Sequence, residues 1–235
     1  MKLKRFSALL LLVGALGVGG CITKLPTALY QLDSGSPTVS EKSSGLAVLL
    51  QRIVIADYLG DATLLQRQPD GSLVADQDAR WAGNLAENIN NVMLRRLSWR
   101  LDDQRLALAP APGFNPDIQV HVSIDRLDSG PLKPAVLEAQ WRLLDRKGQL
   151  LSSRLIRLEE SHLGNVADQV RAQSEVLQQL AEQLAGDIQP LARQITAARK
   201  SEAVKAARAA QSTAEPAPKI PVAEPVRADV EVYRF

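Results

Sequence analysis

The chain has 235 residues, 46% of them hydrophobic and 23% charged, which excludes a wholly disordered polymer and a membrane protein of many spans. One cysteine and two histidines rule out an internal disulfide framework and leave a Cys/His zinc cluster almost no ligands. A formal charge of +2 is too small to point to nucleic acid, and aromatics are only 4%, so the interior must be packed with Leu, Val, Ile and Ala.

Lys2, Lys4 and Arg5 precede an uncharged apolar run, Phe6 to Gly20. That run is shorter than the ~20 residues of a bilayer-spanning helix. A basic front, a short apolar centre and a small-residue end describe an export signal, assigned to residues 1–20. It closes on Val18-Gly19-Gly20-Cys21, which resembles the lipobox of bacterial lipoproteins. Cys21 is then the lipidation site. Its thiol takes a diacylglycerol, the peptidase cuts before it, and the new amine is acylated. Each buried methylene is worth ~0.8 kcal/mol, so two or three chains anchor a protein durably. No cofactor is expected beyond these covalent acyl groups. Ile22 stands where lipoproteins kept at the inner membrane typically carry Asp, so the expected destination is the outer membrane, facing the periplasm. Cleavage removes three basic residues and leaves a nearly neutral mature chain, with no polybasic grip on lipid.

Residues 21–44 read as a lipidated tether with one short strand, Leu29 to Leu32. Leu46 to Ala56 reads as one strand rich in Leu, Val and Ile. Thr63–Arg67 and Leu73–Ala75 flank Pro69-Asp70-Gly71 and predict a hairpin. From Asp78 to Arg100 the period changes. Trp81, Leu85, Ile89, Val92, Met93 and Leu97 share one helical face, with Asp76 or Asp78 as the cap and Asn84, Glu87, Asn88, Asn91 and Arg95 opposite. Arg105 to Ala109 is a short strand.

The period then becomes two. Ile118, Val120, Val122 and Ile124 alternate with Gln119, His121, Ser123 and Asp125, so one face is buried and the other is wet or covered by a partner. Asp128 to Pro134 reads as a Gly/Pro loop. Leu137 to Leu143 alternates again, Asp145 to Gly148 turns, and Leu150 to Glu159 returns. Asn165 and Asp168 resemble a capping box at the start of a second helix. Its stripe of Val170, Leu177, Ala181, Leu184, Ile188, Leu191 and Ile195 belongs against the protein's own sheet, and Pro190 should kink or end it. Residues 199–235, Ala-rich and then Pro-rich, read as a helical start and a largely disordered tail. Residues 45–198 therefore form an α+β domain: a mixed, mostly antiparallel sheet with two amphipathic helices on one face.

Catalytic signatures are missing. There is no phosphate-binding Gly loop and no Gly-x-Ser-x-Gly turn. His121 on a strand and His162 in a loop lack local companions, and Asp57, Asp125 and Asp128 mark strand ends and turns, where Asp is common. No catalytic or metal-ligating residue is nominated, and no enzyme is expected.

Several segments in order resemble the ABC-transport auxiliary lipoprotein family, the PqiC-like proteins. These are Tyr30-Gln31-Leu32, Ile53 to Leu59, Leu64 to Arg67, the Trp81-led helix, the strand pair Ile118–Leu127 and Leu137–Leu143, and the closing helix Val166–Ile188. Ala56 departs from the pattern, where a proline is frequent. The resemblance implies a non-enzymatic accessory subunit of an intermembrane phospholipid transport system that helps maintain envelope integrity. Its partner would be an MCE-domain membrane protein of the PqiB or MlaD kind, and the chain itself would form a homo-oligomer of the ring type. Tyr58 and Leu59, after the long strand, are the candidate partner contacts; otherwise they close the core. Two alternatives stay open: an activator of a peptidoglycan synthase, and a periplasmic hydrolase.

Replacing Cys21 with Ser should move the protein from the membrane fraction to the soluble periplasmic fraction. Unchanged fractionation after C21S would show that the anchor lies elsewhere.

Overall fold

The computed structural model describes residues 26–36, 45–108, 112–213 and 234. Cys21, the residues before it, and all of the Pro-rich tail beyond Thr213 except Arg234 lie outside that set. The chain divides into two compact units, Met1–Ala192 and Arg193–Phe235.

Among its described residues the first unit contains nine strands, β1 (Ala28–Tyr30), β2 (Ala47–Leu50), β3 (Val54–Ile55), β4 (Thr63–Arg67), β5 (Leu73–Trp81), β6 (Arg105–Leu108), β7 (Ile118–Gly130), β8 (Lys133–Asp145) and β9 (Leu150–Glu160). Helix α1 (Leu85–Arg100) falls between β5 and β6. Helix α2 (Val166–Thr213) follows β9. The predicted α+β class holds, with a mixed sheet. The antiparallel ladders β7–β8 and β8–β9 are long, whereas the parallel pairings β1–β5, β2–β6, β2–β7, β3–β7 and β4–β7 are short.

β7 is the spine. Along one edge it pairs in turn with β2 at Ile118–Val120, with β3 at Ser123–Ile124 and with β4 at Ser129. Its other edge carries β8. Ile118, Val120, Val122 and Ile124 and their facing residues Ala139, Trp141 and Leu143 are buried, as the alternation requires. His121, Ser123, Gln140 and Arg142 project from the opposite face and keep some or most of their exposure. Burial on one face only means that the helices cover one side of this part of the sheet.

Helix α2 supplies Val170, Leu177, Leu180, Ala181, Leu184 and Ile188 to that core. Burying one such aliphatic side chain is worth ~1.5–3 kcal/mol. Polar contacts set its placement. The Trp141 indole donates to Asp187 (3.1 Å), and Ser174 Oγ accepts from the Asp33 backbone (3.0 Å). α1 and α2 are tied by Arg100 to Glu182 and by Gln189 to the Arg100 carbonyl (2.9 Å). Asn165 caps the helix as expected: its Oδ1 accepts from Asp168 N at 2.9 Å, while the Asp168 carboxylate accepts from the Asn165 side-chain amide rather than from its backbone N–H.

Several elements differ from the sequence reading. The helix predicted from Asp78 begins at Leu85, capped by Asn84, which accepts from Glu87 N at 3.0 Å. Asp76, Asp78 and Trp81 belong to β5, because β5 is held between β1 and β4. The strand predicted over Leu46–Ala56 breaks into β2 and β3, since Asn90 on α1 takes the Ile53 N–H at 3.0 Å. The loop predicted over Asp128–Pro134 is strand on both sides of a two-residue turn at Pro131-Leu132. α2 also continues through Pro190. Proline there forgoes one intrahelical bond, to the Gly186 carbonyl, and the flanking turns remain helical. In the second unit the helix runs from Arg193 to Thr213.

Gly130 lies so close to β4 that a Cβ there would sit 1.9 Å from the Arg67 carbonyl oxygen. Gly130→Ala should therefore separate β4 from β7 and cost about 2–3 kcal/mol. Urea unfolding would show it as a lower midpoint; an unchanged midpoint would refute the close approach.

Candidate functional site: a polar joint and an exposed apolar tip

Only one registered residue pair, Gln66 with Ser129, joins β4 to β7, yet the carboxylate beside it is almost completely buried. Asp128 exposes 1% of its side chain. Arg67 Nη2 reaches its Oδ2 at 2.6 Å, and Arg126 grips both oxygens at 2.9–3.2 Å. Burial pushes the Asp128 pKa up, but the hydrogen bonds and charges of Arg67 and Arg126 outweigh it, so the net shift is downward. The Arg67 guanidinium is correspondingly held more firmly protonated by its hydrogen bond to Asp128.

Tyr58 sits in a 3-10 turn, Asp57–Leu59, after β3. Its hydroxyl accepts from Leu127 N at 3.2 Å and lies 3.4 Å from Asp128 Oδ2. Burial leads the causes that raise its pKa, so the phenol stays protonated. Ser129 continues the network, with Gln173 Nε2 at 2.7 Å and Gln169 Oε1 at 3.2 Å, and Gln169 also donates to the Gly164 carbonyl at 2.8 Å. The joint therefore ties the 3-10 turn, β4, β7 and the first turns of α2 together. An ionised carboxylate between two guanidiniums accepts hydrogen bonds and has no proton to give. Its work is to hold geometry.

This placement bears on Tyr58 and Leu59. Leu59 is buried, and Tyr58 is half-buried with its hydroxyl turned inward. The space beside them, lined by Leu65, Trp81, Leu85 and Leu127, is about 10 Å³, too small for a ligand. Leu59 thus closes the core and offers no free surface. In the sequence alone Asp128 reads as an ordinary turn residue. Its partners Arg67 and Arg126 lie 61 and 2 residues away, so spacing gave no signal of the network.

The two most exposed large apolar side chains among the described residues lie at and beside the end of the β7–β8 hairpin. Leu132 is 80% exposed and Leu163, in the β9–α2 connection, is 88% exposed. The two loops are fastened together. His162 Nε2 bonds the Lys133 carbonyl at 2.8 Å, and its Nδ1 accepts from Gly164 N at 3.0 Å. Gly164 (φ +94°) approaches the Pro131 carbonyl more closely than a side chain would allow. Pro131, Leu132, Lys133, Pro134, Ser161 and His162 line an open depression of about 290 Å³. His162 is thus a loop-fastening residue. His121 lies on the open sheet face, away from this tip. Among the described residues no three His, Cys, Asp or Glu side chains are grouped to hold a metal. Among them, too, no helix is long and apolar enough to cross a membrane.

Solved structures share this arrangement of mixed sheet and helices. One, of an uncharacterised protein, is 19% identical over 70% of this chain and 99% of that chain, with a TM-score of 0.59. Another, of a protein from Xanthomonas campestris, is 17% identical over 72% of this chain and 99% of that chain, with a TM-score of 0.58. At those identities the likeness shows the fold alone. No curated protein matches the sequence. The family model for the ABC-type transport auxiliary lipoprotein component matches residues 30–185, and the chain belongs to that family. Its role is therefore that of a transport auxiliary.

Asp128→Asn leaves Arg67 and Arg126 facing a neutral group and should lower stability at neutral pH by about 3 kcal/mol. The native chain also has a pH signature. Because the folded pKa of Asp128 is depressed, its contribution is complete above the ordinary carboxylate range and is lost as pH falls through the folded value. Urea unfolding from about pH 7 to about pH 3 should show a weaker acid dependence for D128N than for the native protein. Parallel curves would show that Asp128 is not the ionised centre of the joint.

Proposed function

We propose that the protein is an outer-membrane-anchored lipoprotein that faces the periplasm and serves as the accessory subunit of an MCE-type intermembrane phospholipid transport system. The family match over the folded domain supports the auxiliary role, and the lipobox ending at Cys21 supports the anchor. The single observation that carries the docking role is the fastened apolar tip. Two leucines on adjoining loops stand almost wholly in solvent, while His162 and Gly164 hold those loops in place. Exposed apolar side chains on a rigid mount are the kind that interfaces bury at their centres. The partner contact is accordingly assigned to Leu132 and Leu163 rather than to Tyr58 and Leu59. Self-association into a ring belongs to the same reading, and light scattering of the purified protein measures it.

In this reading the acyl chains fix one end of the protein and the folded domain offers the tip to the partner. Confinement near one membrane raises the effective concentration of the two surfaces. Leu132→Asp combined with Leu163→Asp should reduce capture of the MCE protein at least roughly tenfold, with an unchanged melting temperature. A photo-crosslinker at position 132 should yield an adduct with the MCE protein in cells. Adducts with a peptidoglycan synthase, or undiminished MCE capture by the double variant, would overturn the assignment.

A further inference from the structure

The uncovered face of the sheet carries a second feature that the docking role does not use. His121 on β7 stands directly opposite Arg142 on β8, and the next pair on the same face is Ser123 opposite Gln140. With Arg52 and Val54 these side chains line a cavity of about 100 Å³. Its polar lining consists mainly of hydrogen-bond donors, and it contains no carboxylate. Directly opposite positions on an antiparallel ladder bring the two side chains within reach of one ligand. The His121 Nε2 is shielded from solvent and has no hydrogen-bond partner among the described residues. An orphaned buried nitrogen of this kind calls for an explanation.

We propose that this cavity is a binding site for a compact oxyanion, specifically a phosphate group. Arg142 makes no ion pair among the described residues, and its planar guanidinium suits two phosphate oxygens at once. Ser123 and Gln140 complete a ring of donors around the same space. Arg52 forms the far wall and is neutralised by Glu87 at 2.6 Å, so Arg142 supplies the unbalanced charge. Asp125, further along β7, is exposed and does not line the cavity. Burial, and then the nearby Arg142 charge, lower the His121 pKa and favour the neutral imidazole. A bound phosphate would reverse that balance and draw a proton onto His121.

The phosphate has two sources, a free ion or a lipid headgroup. Val54, 66% exposed, lines the cavity, and Leu155, 73% exposed, is registered beside Gln140 on β9, so apolar surface flanks the donors. The site stands on these contacts alone and does not depend on the MCE reading.

The experiment uses the full mature chain carrying Cys21→Ser, so that no acyl anchor confounds vesicle binding. The two histidines give separate imidazole signals in nuclear magnetic resonance spectra. Inorganic phosphate should shift the His121 signal saturably and raise its pKa, leaving His162 still. Arg142→Gln should weaken that response about tenfold without changing the melting temperature. Sedimentation with phosphatidylglycerol vesicles, against phosphatidylcholine vesicles, separates the sources. Vesicle binding lost in R142Q identifies a headgroup; a phosphate response without vesicle binding identifies a free ion. The proposal fails if neither probe moves His121, or if R142Q binds both as well as the parent chain.

Discussion

A carboxylate buried in a protein interior is tolerated only where other groups replace the water it has lost. Asp128 meets that condition through two arginines, Arg67 on β4 and Arg126 on its own strand. The same neighbourhood contains the one registered pair that connects β4 to β7. Without it, β1, β5 and β4 would lack their hydrogen-bonded link to the spine strand. Gly130 makes the approach possible and the ion pair makes it specific. The tyrosine hydroxyl and the two glutamines of α2 then tie the neighbouring turn and helix to the same point.

This rigid joint separates two faces with different chemistry. On one side of the sheet the helices bury an aliphatic core around Trp141. On the other, polar and basic side chains keep some exposure, and His121, Ser123, Gln140 and Arg142 line a cavity there. At the end of the β7–β8 hairpin the loops that carry Leu132 and Leu163 are braced by His162. An auxiliary subunit needs a surface that keeps its shape while it waits for a partner. A two-residue turn at the end of long paired strands provides one, because little backbone entropy remains to be lost on binding.

Some features were legible in the sequence because their causes are local. Alternation over Ile118–Ile124 and Leu137–Leu143 determines which side of each strand is buried, and the stripe from Val170 to Ile188 determines which side of α2 meets the sheet. The turns at Asp70-Gly71 and Lys147-Gly148 follow from glycine at positive φ and aspartate accepting from the backbone two residues on. The family resemblance is likewise carried by short runs of residues.

Other features depended on groups far apart in the chain. Asp128 is a strand residue because Arg67 neutralises it; by itself, Asp-Ser-Gly-Pro is a turn sequence. Asp76 to Trp81 is strand because β1 and β4 supply partners on both edges, overriding weak strand propensity. The tip exists because His162 reaches the Lys133 carbonyl, and the basic cavity because antiparallel register sets His121 beside Arg142. Hydrophobic period and turn chemistry act within a few residues and are written in the chain itself. Charge compensation and register act across space, so only the folded molecule decides them.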